Sequence, residues 1–177
     1  MNATTPAYRD AGYRMDDYVN VELPALIPTI DATLEGLPRG ITGHSMGGHG
    51  ALTSFFRNPG TWQTCSAFAP IVNPTQVPWG RKAFEGYLGG VDAGRDYDAC
   101  ELARGYEGEK VEILVSQGTA DAFLEEQLKT DNLVEACKEK DNVEVVVKLE
   151  EGYDHSYSFI SSFARQHVEW HASRVTK

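Results

Sequence analysis

Gly43-His44-Ser45-Met46-Gly47 decides how this chain is read. It fits Gly-x-Ser-x-Gly, the pattern of a nucleophile elbow, in which a serine sits on a sharp, strained strand-to-helix turn with its hydroxyl clear of the sheet. A small residue is expected two places to either side, because the turn packs its flanks together. The surroundings suit this reading. Residues 40–42 are a very short strand candidate just before the serine. Residues 46–57 read as a helix with Ala51, Leu52, Phe55 and Phe56 on one side, and Asn58-Pro59-Gly60 stops it.

Further out, the pattern alternates. Residues 65–72 and 111–116 read as apolar strands and 143–149 as a valine-rich one; 125–140 predicts an amphipathic helix and 156–174 a closing helix. Residues 73–90 are rich in Pro, Gly and aromatics and read as a loop excursion over the sheet. Residues 13–34 carry Tyr18, Val21, Leu26 and Ile30 at loosely helical spacing, with Pro24 and Pro28 bending or breaking the run. Strands separated by helices imply an α/β protein with a mostly parallel sheet flanked by helices. Little precedes the nucleophile strand that could pair on its far side. An open apolar sheet edge is therefore expected, in a chain that is the C-terminal portion of one domain, residues 1–177, lacking its first strands.

Composition bounds the function. The chain has 177 residues, enough for one sizeable core, with 41% hydrophobic and 24% charged residues, as in soluble globular proteins. A net charge of -10 argues against nucleic acid and anionic membrane as partners, since both reward Lys and Arg. No apolar run is long enough to span a bilayer, and the N-terminus has neither the basic region nor the apolar core of a signal peptide. Cys65, Cys100 and Cys137 show no CxxC spacing, which favours reduced thiols in a cytoplasmic protein over zinc or a disulfide framework.

A serine nucleophile needs a base, and the base needs an acid to orient it. In this kind of elbow the chain order is Ser, then Asp or Glu, then His. Among the five histidines, His155 lies in the turn-rich Gly152-Tyr153-Asp154-His155-Ser156, between the last strand and the last helix, where the base belongs. The acid belongs after strand 111–116, where Gln117-Gly118-Thr119-Ala120-Asp121 supplies Asp121; Asp131, Asp141 and Asp154 are rivals, and a helix cap is the plainer role for Asp121. His44 is too close in sequence to fold back on Ser45 easily, and His49 reads as packing near the helix start. His167 and His171, four apart, could share a metal-binding face, but an exposed helix face is the favoured reading. The Met46 amide, at a helix N-terminus directly after the serine, can be one oxyanion donor; the second normally comes from a loop after an early strand, for which this chain offers no candidate.

With these residues in place, the chain resembles the S-formylglutathione hydrolase (esterase D) family. The resemblance rests on Tyr13-Arg14-Met15, Glu22-Leu23-Pro24, GHSMGGHGAL from Gly43, SAFAPI from Ser66, PWGRKAFEGYL from Pro78, Gln117-Gly118 with Asp121, and EGYDHSY from Glu151, and it extends from Asn2 to His171. It implies the α/β-hydrolase fold. It also implies a cofactor-free, metal-free, cytoplasmic and often dimeric serine hydrolase that cleaves S-formylglutathione to glutathione and formate in formaldehyde detoxification, and that also acts on simple esters. Ser45 carries over as nucleophile, His155 as base, Asp121 as acid and Met46 as oxyanion donor. Trp79, in the family's Pro-Trp-Gly segment, either lines the substrate pocket or packs in the excursion. Met1 aligns to the interior of family members, and the segment before the elbow is shorter and more glycine-rich than theirs. A general short-chain carboxylesterase and a non-catalytic remnant are the alternatives.

Overall fold

The computed structural model of the protein describes residues 1–175. Helical turns α1 (Pro6–Arg9) and α2 (Met15–Asp17) come first, and α2 continues through a π-helical turn at Tyr18–Glu22 into α3 (Leu23–Ile30). Then follow β1 (Gly40–His44), α4 (Met46–Arg57), β2 (Thr64–Phe68), α5 (Pro78–Leu88), α6 (Ala99–Arg104), β3 (Val111–Gly118), α7 (Thr130–Cys137), β4 (Val143–Glu150) and α8 (Tyr157–Val175).

The strands form one four-stranded parallel sheet in the order β1-β2-β3-β4. β1 lies at its edge, and among the described residues no strand pairs on its far side. The register aligns Ile41, Cys65, Ile113 and Val145 across the sheet. Side chains alternate between faces, so one face is an apolar layer. It packs with Leu52 and Phe55 of α4, Ala103 of α6 and Leu133 of α7 into the main core. Leu52, Ile113 and Leu133 are wholly excluded from solvent, and each such side chain contributes about 1.5–3 kcal/mol.

The opposite face is different. The same alternation puts Thr42, Thr64, Ser66 and Ser116 on the side that α8 covers, where His167 and His171 meet them. His167 hydrogen-bonds Ser66 Oγ through Nδ1 (2.8 Å) and Ser116 Oγ through Nε2 (3.0 Å). His171 reaches Ser66 Oγ through Nε2 (2.8 Å) and Thr64 Oγ1 through Nδ1 (2.6 Å), and Ser66 Oγ donates to Thr42 Oγ1 at 2.9 Å. A hydroxyl has one proton to give. Ser66 gives its proton to Thr42, so both imidazoles must donate to Ser66. Burial disfavours the charged form of both rings, so each accepts on its other nitrogen, from Ser116 and Thr64. The exposed-face reading of these histidines is thus corrected. His167 is 2% exposed, and the i, i+4 spacing serves to seat α8 on a row of hydroxyls.

Burial, and secondarily the neighbouring His171, pushes His167 down to about 4. A histidine depressed in the fold contributes stability fully above its ordinary value, and that stability is lost as pH falls from about 6.5 toward about 4, because the unfolded chain binds the proton first. Urea titrations across this window should show stability falling by up to about 1.4 kcal/mol per pH unit for such a group. His167→Gln should flatten that slope, and an unchanged slope would refute the assignment.

Two local expectations are corrected and a third is narrowed. The 73–90 excursion contains α5, because Pro78 suits the first helical turn and Gly89, at φ 82°, closes the C-terminus. Of the bend or break expected at Pro24 and Pro28, the break is excluded: Pro24 falls in the first turn of α3, and Pro28 lies inside it. The 125–140 helix is split at Lys129, whose φ of 56° separates a π-helical turn at Leu124–Leu128 from α7.

Candidate active site

β1 ends and α4 begins at Ser45, where the chain turns with φ 56° and ψ -114°. This left-handed φ is uncommon for a non-glycine residue, and it is over-determined here. Ser45 N donates to Phe68 O at 2.9 Å, and Ser45 O accepts from His49 N at 2.9 Å. A Cβ on Gly43 would stand 2.3 Å from Gly47 O, so Gly43 must be glycine. The expected symmetry fails on the other flank. A Cβ on Gly47 would meet nothing within 4 Å, while the next residue, Gly48, would bring one to 3.0 Å from Pro70 Cβ. The tight contact runs from Gly43 to the Gly47 backbone.

Asp121 follows β3, with its side chain wholly buried. Gly118 lets this loop close against the His155 loop: a Cβ there would lie 2.2 Å from Tyr153 O. Asp121 Oδ2 accepts from His155 Nδ1 at 2.6 Å and from Gln117 Nε2 at 3.3 Å, and Oδ1 accepts from Phe123 N at 2.9 Å. The last bond is a local turn bond, so Asp121 caps its own loop and holds the histidine together. The rivals Asp131, Asp141 and Asp154 are exposed. With Nδ1–H given to Asp121, His155 has Nε2 left as its basic atom.

His155 lies beside the elbow. Its ring centroid is 4.4 Å from that of His44, the residue before Ser45, and 5.2 Å from that of Phe123. Among the described residues Ser45 Oγ makes no hydrogen bond. Bonds of this kind are often long without substrate and tighten in the reacting complex. Met46 opens α4, a helix of 12 residues, with its N–H among those that have no partner within the helix. Trp79 stands in the first turn of α5, 40% exposed, its amide donating to Gln127 Oε1 at 3.1 Å. His49 is buried, and its Nε2 hydrogen-bonds Tyr97 O at 2.6 Å, so it packs as expected. Cys65, Cys100 and Cys137 are free and buried.

Sequence reasoning missed Gln117, Phe123 and the contact of His44 with His155. Gln117 is fully buried, takes a hydrogen bond from Thr130 Oγ1 at 2.9 Å and presents its amide to Asp121. A polar residue ending an otherwise apolar strand, beside the expected acid, was the available signal.

Known proteins resemble this chain in sequence and fold. The Esterase family model, described as "Putative esterase", matches residues 2–173. The chain belongs to the Esterase family. As a member of the Esterase family it resembles S-formylglutathione hydrolases closely. It is 47% identical over 174 residues to the Mus musculus S-formylglutathione hydrolase, a match covering 97% of this chain and 61% of that protein. The solved S-formylglutathione hydrolase from Agrobacterium tumefaciens superposes with a TM-score of 0.91 at 41% identity, covering 99% of this chain and 62% of the other. An S-formylglutathione hydrolase from Staphylococcus aureus, 14% identical, shares the fold at a TM-score of 0.66, over 96% of this chain and 66% of that one. The chain spans 61% of the length of the curated relatives it matches. Its parallel sheet flanked by helices is the α/β-hydrolase architecture of this family. Among the described residues no helix is long and apolar enough to cross a membrane.

Proposed function

We propose that this chain is a serine thioesterase of the S-formylglutathione hydrolase type, cleaving S-formylglutathione to glutathione and formate. The observation that carries this reading is the 2.6 Å bond from His155 Nδ1 to a buried Asp121, on a histidine set beside a strained serine. Ser45 Oγ attacks the thioester carbonyl carbon and gives its proton to His155 Nε2. The Asp121 carboxylate stabilises the imidazolium. The carbonyl oxygen, now an oxyanion, takes a hydrogen bond from the Met46 amide. Collapse breaks the C–S bond, and glutathione leaves with the proton from His155. Water then attacks the formyl ester on Ser45, its proton passing to His155 and on to Ser45 Oγ as formate departs.

Trp79 lines the pocket in this reading. A cytoplasmic compartment, supported by the free buried thiols, and a homodimer belong to the same proposal. Net charge of -10 supports a small-molecule substrate over nucleic acid.

The Esterase family match favours a second reading, a general short-chain carboxylesterase. Side-by-side kcat/KM values for S-formylglutathione and a p-nitrophenyl acyl ester separate the two. The thioester should be preferred by about tenfold or more. A preference for the simple ester would favour the second reading, and turnover of neither substrate would refute both.

A further inference from the structure

His44 carries a cost that no hydrogen bond offsets among the described residues. Its Nε2 is buried and bonds to nothing among the described residues. A buried polar atom left unpaired is destabilising, whereas an apolar side chain of similar size would escape the penalty. The residue lies on the α8 face of β1, and its ring packs at 4.4 Å and a 40° tilt against His155. A second ring, that of Phe123, also contacts His155, at 5.2 Å and 77°. Asp121 fixes one edge of the His155 ring, but one hydrogen bond leaves an imidazole free to swing about its axis. Contacts from two neighbouring rings restrict that freedom.

We propose that His44 is a positioning residue for the base: its ring is one wall of the slot that holds His155, Phe123 is the other, and its π-face carries the His155 imidazolium while the proton from Ser45 rests there. This builds on the reading of His155 as base. It requires His44 to stay neutral, since a second cation against His155 would oppose the proton transfer. Burial is the largest influence on His44 and lowers its proton affinity; the neighbouring His155 acts in the same direction, and Asp121 opposes both.

The test uses the full chain with His44→Phe and His44→Leu. Both changes remove the orphaned nitrogen, so both variants should resist urea at least as well as the parent. His44→Phe keeps a ring against His155 and should retain kcat within about threefold, whereas His44→Leu should lose about ten- to a hundredfold in kcat, with KM nearly unchanged. Proton NMR reads the slot without turnover. The downfield resonance of the His155 Nδ1–H shared with Asp121 should persist in His44→Phe and broaden by exchange with water in His44→Leu. A His44→Leu variant with parental kcat and an intact resonance overturns the proposal. So do losses of stability and kcat in step in both variants, which would mark a purely structural role. Failure of the triad reading shows elsewhere, as turnover that survives loss of the Ser45 hydroxyl, and the NMR comparison still decides the role of His44.

Discussion

Ser45→Ala is expected to lower kcat toward S-formylglutathione on the order of a million-fold, with little change in KM or in stability. The size follows from the role: without Oγ no acyl-enzyme forms, and His155 has no nucleophile to activate. The cleanness follows from the structure. Ser45 Oγ holds nothing in place, while the bonds that fix the turn, from Ser45 N to Phe68 O and from His49 N to Ser45 O, are backbone bonds that alanine keeps. Alanine tolerates the φ of 56° about as badly as serine does, so the turn should survive. Steady-state assays with matched thermal melts check this. A variant that folds and retains more than about a hundredth of the parental rate would show that Ser45 is not the nucleophile.

Asp121→Asn is expected to cost on the order of ten-thousand-fold in kcat, and unlike the serine change it should also cost stability. Three N–H donors converge on this carboxylate: His155 and Gln117 on Oδ2, Phe123 on Oδ1. A carboxylate accepts from all three. An amide has one oxygen. With its NH2 toward His155, it forces the proton onto Nε2 and removes the basic atom that faces the reaction. With its NH2 toward Phe123, it sets donor against donor in a buried loop. Either orientation leaves a buried group unpaired, at about 1–3 kcal/mol. Denaturant melts together with kcat decide the matter. Loss of stability with near-normal turnover would confine Asp121 to the loop-capping role.

Much of this site could be read from the chain. The elbow declares itself through glycine spacing, and the proposed acid and base, which the structure brings within 2.6 Å, fall in the loops after β3 and β4, positions that strand periodicity fixes. What stayed hidden depends on contacts that no local pattern records. Pro78 counted toward a loop reading of residues 73–90, yet proline suits a first helical turn. Gly80 looked like loop glycine, but it is there because a Cβ would strike Pro74 O at 2.2 Å. Lys129 splits a well-patterned amphipathic run through a left-handed φ that lysine does not advertise. His167 and His171 looked solvent-facing because their partners are Ser and Thr hydroxyls, residues scored as polar surface when each strand is read alone. Only the sheet register gathers those hydroxyls beneath one helix. The pairing of His44 with His155 is of the same kind, joining the nucleophile's neighbour to a loop from the far end of the sequence.

The seat of α8 on its row of hydroxyls also orders events in time. In chain order the Ser45 turn, with β1, α4 and β2, comes before the proposed base. His155, the proposed base, follows only after β4, on the loop that leads into α8. On the proposed triad, Ser45 stays an ordinary alcohol until that helix docks, so a half-made chain would carry no reactive nucleophile among the thiols and esters around it.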